Sequence, residues 1–218
     1  MRLAISRGMS AKQLLEALFE ADRKLREAEW TLLEKAEGEE LELALVQAAD
    51  RALTQSDDAE AAARLTRLAD LCVQAQGPHT ADTLLRILNH PSPEVRVAAG
   101  EALRDFAYDR YAEVARAIER AVERQLEGPA LQEIPWILAE IGEPSALPLI
   151  GRLLAHPDAD VVASAIEALS ELGEPEAIPL LQPLAEDGRI VTLEEDDAGY
   201  TTTLAELACE AIADLEAR

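Results

Sequence analysis

The amino-acid sequence predicts an all-α solenoid, a stack of short helix pairs, with a small β-hairpin near the C-terminus. The composition is the first observation. The chain is 49% hydrophobic but only 3% aromatic, so its core must consist mainly of leucine, alanine, valine and isoleucine. Together with many glutamates and arginines, this mix favours helices. The other two observations are internal repeats and helix-ending residues that recur at the joints between them.

The repeats are visible as two self-matches. Residues 138–150 match residues 169–181 without a gap, at an offset of 31 residues. Residues 88–95 match residues 154–161 at an offset of 66, which is two units of about 33. Periods of this size are typical of solenoids, in which a unit buries its apolar face only by stacking on its neighbours. The chain between the two matches is therefore predicted to be a divergent copy.

Each unit is predicted to consist of a helix, a tight turn and a second helix. Pro91 disfavours helical conformation at His90, so the first helix should end there. Ser92 should cap the second helix, and Asp158 should do so in the later copy. Two glycines suit the left-handed helix ends between units, namely Gly142 and Gly173.

These motifs resemble a known family of repeats. The Pro-x-Pro-Glu-Val-Arg-x-Ala-Ala run at 91–99, and the Gly-Glu-Pro-x-Ala-x-Pro-Leu runs from Gly142 and Gly173, are similar to short HEAT-like repeats of the bilin-lyase type. The resemblance covers about residues 75–184. It implies an α-solenoid with a right-handed superhelix, and it brings a lyase-like activity into consideration.

The chain departs from the HEAT-like pattern in two places. Val162 stands where Arg96 stands in the earlier copy, so the Asp/Arg ladder common in the family is incomplete. Residues 111–141 keep helical character but lack the usual turn, which residues 126–130 replace. The repeat motif specifies fold strongly and function weakly, because one fold can host many functions.

The sequence divides into a helical N-terminal cap with a divergent repeat at 1–76 and HEAT-like repeats at 77–218. The first helix should begin with a capping box of Ser10 and Gln13 and run to about Glu37. Its apolar residues recur in steps of four and three. The helix is interpreted as part of the solenoid's cap, with a homodimer or partner-binding helix as the alternative.

The last unit contains an insertion at 188–202. Residues 190–193 and 200–202 favour strands, which predicts a β-hairpin between the two helices of the terminal repeat. Thr203 and Glu206 form a capping box for the final helix. The densest acidic run of the chain lies at the predicted hairpin tip, and it consists of Glu194, Glu195, Asp196 and Asp197. This run is interpreted as a solvated tip, with a contact for a basic partner and a cation site as alternatives.

The formal net charge of −23 limits the kinds of partner that are expected. An acidic surface repels phosphate backbones and anionic membranes, so neither nucleic acid nor a membrane is predicted to bind. A protein partner with a basic surface fits better, although acidity also serves solubility alone. The sequence shows no secretory signal and no stretch apolar enough to span a bilayer, so a cytoplasmic protein is expected.

The sequence offers few residues for chemistry. Cys72 and Cys209 lie in helical patterns and are predicted to be buried free thiols. His90 and His156 occupy the same turn two units apart, roughly 20 Å from each other, so they should shape turns rather than share a metal ion. Motifs for phosphate binding, nucleophilic catalysis or zinc are absent from the sequence, so no cofactor, metal or enzymatic activity is predicted.

The function predicted from these observations is a protein-interaction scaffold or adaptor. Stacked second helices should form its binding surface. Candidate residues on the solvent side of those helices are Arg96, Gly100, Arg104, Val162, Ile166 and Ser170. Val162 and Ile166 should form either an exposed apolar patch or a contact buried against a neighbouring helix. The alternative function is a lyase-like modifier of a chromophore or protein, which the family resemblance implies.

Overall fold

The computed structural model describes residues 10–36, 38–75, 77–124, 126–195 and 198–218. Helices dominate these residues. The helices are α1 (Ala11–Lys35), α2 (Glu39–Leu53), α3 (Asp58–Gln74), α4 (Thr80–Leu88), α5 (Pro93–Glu123), α6 (Ala130–Ile141), α7 (Ala146–Leu153), α8 (Ala159–Leu172), α9 (Ile178–Leu181) and α10 (Leu204–Ala217). The two strands are β1 (Ile190–Glu195) and β2 (Ala198–Thr203). Short 3-10 turns, Pro175–Ala177 and Gln182–Leu184, flank α9.

The helices stack as pairs from α2 onward, and this confirms the predicted solenoid. One layer contains the first helix of each pair, in which α2 contacts α4 and the end of α5 contacts α7. The other layer contains the second helices, with successive contacts among α3, α5, α6, α8 and α10. Helix α5 belongs to both layers because its backbone is non-helical at Arg110, where φ is −137° and ψ is 35°. Its part before Arg110 completes one pair, and its part after Arg110 begins the next.

The predicted turns between helices are present. Helix α4 ends at Leu88, and α5 begins at Pro93. Gly142 and Gly173 adopt φ values of 66° and 72°, the left-handed region that glycine enters without steric cost. The helix bounds in this part of the chain are therefore set by local residues.

Histidine serves the turn within a pair in a way that the sequence analysis did not foresee. The Ser92 N–H donates to Nδ1 of His90 at 3.2 Å, and the Asp158 N–H donates to Nδ1 of His156 at 3.2 Å. Because the imidazole accepts a backbone N–H two residues on, it stabilises the turn as an Asn or Asp side chain does. The prediction that these histidines shape turns is confirmed, although Ser92 makes no side-chain capping bond.

Polar side chains from one pair cap helices of the next. The buried Glu42 carboxylate in α2 accepts the N–H of His79 at the start of α4. A Cβ at Gly77 would overlap with that carboxylate. In the same way, Oδ1 of Asn89 accepts the N–H of Ala130 at the start of α6, at 3.1 Å. These bonds satisfy backbone donors that a helix start leaves without intrahelical partners.

The hairpin lies where the sequence predicts it, between α9 and α10. Strands β1 and β2 pair antiparallel, with Ile190 opposite Thr203. Arg189 links the hairpin to the preceding helix pair. Its guanidinium donates hydrogen bonds to the Asp187 carboxylate at 2.7 Å and to the His156 carbonyl at 2.9 Å. The predicted capping box of Thr203 and Glu206 is present. Its hydrogen bonds hold the pKa of Glu206 below the ordinary value.

The buried apolar residues form one connected core, whose members range from Ala36 to Leu215. Leu103 and Leu169, which occupy the same repeat position, are both 0% exposed, as predicted. Cys72 is buried as predicted, but Cys209 is exposed, so the prediction for Cys209 is wrong. The buried positions of α10 include Leu207, Ala208, Ala211 and Leu215, and Cys209 lies off the face that they form.

Truncating either core leucine should destabilise the protein strongly. We expect Leu103→Ala and Leu169→Ala each to lower the free energy of unfolding by about 2–5 kcal/mol, because each leaves a cavity in a packed core. Leu43→Ala is the matched control, since Leu43 is 55% exposed. Urea denaturation followed by circular dichroism measures all three. A loss below about 0.5 kcal/mol at both core sites would contradict the assigned face.

The two thiols should differ sharply in reactivity. Burial, with the Glu42 carboxylate nearby, raises the pKa of the Cys72 thiol to about 12, so at pH 8 it stays protonated and covered. Ellman's reagent should modify Cys209 quickly in the native protein and Cys72 only after unfolding in guanidinium. A Cys209→Ser variant provides the control, because it should show no fast phase. A fast phase in that variant would contradict the burial of Cys72.

Candidate interaction surfaces

Two cross-helix ion pairs mark the surface of the second-helix layer. Nε of Arg96 lies 3.0 Å from Oε1 of Glu133, and Nη1 of Arg104 lies 3.0 Å from Oε2 of Glu140. Both arginines are on α5 and both glutamates on α6. The side chains of Arg96 and Arg104 are 22% and 32% exposed. The two predicted arginines thus lie at the surface with their charges already compensated.

The predicted apolar patch at Val162 and Ile166 is wrong, because these side chains are only 0% and 1% exposed. They are buried between helices, which was the other interpretation of the pair. Helix α8 has neighbours on both sides, α6 and α10, as well as its partner α7, so its buried face is wide. Gly100 is also buried, and a Cβ there would lie 3.7 Å from Cδ1 of Ile137. Ser170, on the same layer, is half-buried.

The apolar residues that the second-helix layer does expose were missed by the sequence analysis. Trp136 is 41% exposed on α6, about one turn from Glu133 and from Glu140. Val97 and Tyr108 on α5 are 60% and 91% exposed. The exposure of Trp136 could have been predicted from the sequence. Leu131, Ile134 and Leu138 form the buried face of α6, and Trp136 does not fit their helical spacing.

Helix α1 carries the longest exposed apolar stripe among the described residues. None of its 25 residues is buried. Its large apolar side chains with at least 40% exposure are Leu14, Leu15, Leu18, Phe19, Leu25 and Trp30. Only its last turns reach the core, through Leu32 and Leu33. Helix α1 therefore covers little of the solenoid's first face, in contrast to the cap that the sequence analysis favoured.

The first-helix layer carries a ladder of ion pairs, one at each of three junctions. Asp50 of α2 pairs with Arg86 of α4. Asp82 of α4 pairs with Arg120 of α5 at 2.6 Å. Glu119 of α5 then pairs with Arg152 of α7 at 3.3 Å. Such exposed pairs contribute little stability, about 0–1 kcal/mol each, but their repetition matches the register of the stack.

The acidic run at the hairpin tip is only partly within the described residues. The backbone of Glu194 lies opposite Gly199 and that of Glu195 opposite Ala198. Asp196 and Asp197 lie outside the described residues. The role of this run as a contact for a basic partner stays a prediction.

Metal-binding clusters and membrane-spanning helices do not occur in the described part of the chain. Within it, histidine, cysteine, aspartate and glutamate side chains form no group of three or more that could hold a metal ion. Among the same residues, each helix is too short or too polar to cross a bilayer.

Comparisons with known proteins agree with the fold. The family model described as HEAT repeats matches residues 130–194, and the model described as HEAT repeat matches residues 82–109. These two segments of the chain are HEAT-like repeats. The matched HEAT repeats include α6, α7 and α8 and the region around the α4–α5 turn. The resemblance predicted from the sequence motifs is thereby confirmed. A comparison with curated proteins finds no match.

Two of the solved structures that this chain is similar to are designed or engineered proteins. One is the crystal structure of an engineered protein, 18% identical, covering 79% of this chain and 78% of that chain with a TM-score of 0.36. Another is a computationally designed armadillo repeat protein for modular peptide recognition, 16% identical, covering 89% and 93% with a TM-score of 0.34. Such low identities and TM-scores carry no argument about the function of these HEAT repeats.

Glu167 on α8 offers a pH-dependent test of the second-helix layer. Burial raises the pKa of its carboxyl, so its ionised form opposes folding. This cost is fully present above the raised folded pKa and disappears as pH falls below the unfolded value. We expect Glu167→Gln to stabilise the protein at neutral pH and to lose that advantage on acidification. Glu171→Gln, an exposed change on the same helix, is the control. Urea midpoints that are equal at every pH would contradict the burial of Glu167.

Proposed function

We propose that this chain is a non-catalytic interaction scaffold that binds a protein partner through surfaces of its solenoid. The observation that carries the proposal is the exposed stripe on α1. A helix that exposes six large apolar side chains is typical of an interaction site. The stacked helices provide a rigid frame from which the stripe and the second-helix surface are displayed.

Ion pairs between side chains of α1 support its stability as a helix. Arg23 lies 2.6 Å from Glu20 and 3.5 Å from Glu27, and Arg26 lies 3.0 Å from Asp22. Pairs at these spacings stabilise an exposed helix by a few tenths of a kcal/mol each. An amphipathic helix of this kind is suited to dock its apolar face against a second helix.

The first partner we propose for α1 is a second copy of the chain. Leu14, Leu18, Ala21 and Leu25 follow steps of four and three, the spacing by which helices pair as coiled coils. The same stripe is present on every copy, so a two-fold dimer would bury it on both sides at once.

We further propose that the second-helix surface contacts a partner with a basic surface. Trp136 supplies an aromatic anchor there, and aromatic residues dominate many protein interfaces. The glutamates paired with Arg96 and Arg104 lie about one turn before and after this tryptophan on α6, and their charges are already compensated. The net charge of −23 and the acidic run at 194–197 would steer a basic partner toward the chain.

Substitutions on α1 test the proposed dimer. Leu18→Glu combined with Phe19→Glu should convert the dimer to a monomer in analytical ultracentrifugation, because four charges would enter the interface. The matched control is Val97→Glu with Tyr108→Glu, which changes two exposed apolar residues elsewhere and should leave the dimer intact. A wild-type chain that stays monomeric at about 100 μM, far above a typical dimer dissociation constant, would refute the homodimer. The proposed partner of the α1 stripe would then be a different protein.

A further inference from the structure

The first-helix layer contains a groove that the proposed function does not use. It runs between α4 and the second half of α5 and encloses a cavity of about 540 Å³. A smaller cavity of about 280 Å³ continues it, sharing Pro78 and Arg120 with the first. We refer to the two cavities together as the arginine groove, after the residues that line it.

The charge of the arginine groove is opposite to that of the chain. Its lining contains two carboxylates, those of Asp82 and Glu113. It also contains five arginines, which are Arg86, Arg110, Arg116, Arg120 and Arg124. In the whole chain, by contrast, 43 acidic residues outnumber 20 basic ones. A negatively charged ligand can recognise such a locally basic groove even on an acidic molecule.

Several of these guanidinium groups retain free hydrogen-bond donors. Arg120 uses Nε and Nη2 for Asp82, at 3.3 and 2.6 Å, and a guanidinium has further donors. Arg116 and Arg124 are exposed and form no ion pair with any described residue. The groove therefore has positive charge that the molecule's own carboxylates leave uncompensated.

The spacing of these arginines indicates what shape of ligand fits. Arg116 and Arg120 on α5, and Arg124 at its C-cap, are four residues apart, so their backbones rise by about 6 Å from one to the next. In an extended peptide, every second side chain recurs at about 6.6 Å and points to the same side. The positive charge is thus spread along about 12 Å of groove rather than focused on one compact anion.

Apart from His79, the remaining side chains that line the groove are apolar. Leu85, Ala117, Ala121 and Leu126 contribute to it. We propose that the arginine groove binds a short acidic segment of a partner protein in extended form, with carboxylates at alternate positions along the arginines. The small residues between the carboxylates lie against the apolar lining. This binding site is on the layer opposite the second-helix surface and is independent of α1.

The chain's overall charge favours a short acidic segment over nucleic acid. A nucleic acid carries a phosphate every few ångströms, so it would also place phosphates outside the groove. There they would be repelled by a molecule with a net charge of −23. An acidic segment of a protein ends within the groove, and the rest of that protein can be neutral or basic. The local attraction then acts without the long-range repulsion.

Fluorescence anisotropy with a synthetic peptide tests the site. The probe is a labelled peptide of about eight residues that alternates glutamate with alanine, long enough to span the groove. The control probe has glutamine in place of each glutamate. The wild-type chain should bind the glutamate peptide and not the glutamine peptide. Equal binding of both peptides, or binding of a single-stranded DNA of similar length as tight as that of the glutamate peptide, would overturn the proposal.

A pair of matched variants locates the site. Arg116→Gln with Arg124→Gln removes two exposed, unpaired charges and should weaken the glutamate peptide about tenfold, since removing each guanidinium lowers the affinity a few-fold. Lys12→Gln with Arg51→Gln removes the same charge from exposed positions outside the groove and should leave affinity unchanged. Equal affinities of the two double variants would overturn the assignment.

A third variant tests the lining itself. Ala121→Glu introduces a carboxylate into the groove and should abolish peptide binding, while circular dichroism confirms that the helices remain. The α1 variant Leu18→Glu with Phe19→Glu should bind the peptide as the wild type does. Loss of peptide binding in the α1 variant would show that the peptide binds elsewhere. The outcome for the groove is therefore separate from the outcome for the dimer.

Discussion

Stacking of apolar helix faces is the interaction on which the rest of this structure depends. The helices of one pair are short, and α4, α7 and α9 span only nine, eight and four residues. Isolated helices of this length are unstable in water, so each acquires its stability by burying leucine and alanine against the pairs on either side. The continuous core from Ala36 to Leu215 is the result. Because every pair needs its neighbours, the chain forms one elongated stack whose long faces remain available for binding.

Polar contacts between neighbouring helix pairs make their packing specific, because apolar burial alone is non-directional. Glu42 and Asn89 each reach from one pair to the helix start of a later one. Glycine stands at each of these contacts, since a side chain at Gly77 or Gly128 would collide with the capping group. The ladder of acid–arginine pairs recurs along the same layer. Each contact contributes little stability by itself. Together they favour one alignment of neighbouring helix pairs over the others.

Charge is distributed unevenly over the solenoid, and this bears on how its two layers could work. On the second-helix layer, Glu133 and Glu140 compensate Arg96 and Arg104 and leave Trp136 as the exposed group between them. On the first-helix layer, arginines outnumber the acids that line their groove. An acidic surface with a locally basic groove can discriminate between partners of different charge, because attraction at one site is accompanied by repulsion elsewhere.

The local features of this protein could be predicted from its sequence. Capping boxes at Ser10 and Thr203, the left-handed glycines and the strand-forming insertion depend on residues within a few positions of each other, so their signals could be read directly. The buried faces at Leu103 and Leu169 followed from helical spacing.

Which of those helix faces are buried, and by how many neighbouring helices, depends on how the whole chain packs. Val162 and Ile166 are buried because α8 has neighbours on both sides, whereas Cys209 on α10 is exposed. The arginine groove is lined by residues about forty positions apart. The side-chain hydrogen bonds of Glu42 to His79 and of Asn89 to Glu127 likewise span 37 and 38 positions. Helical periodicity repeats every few residues and contains no information about such separations, so only the packed chain reveals them.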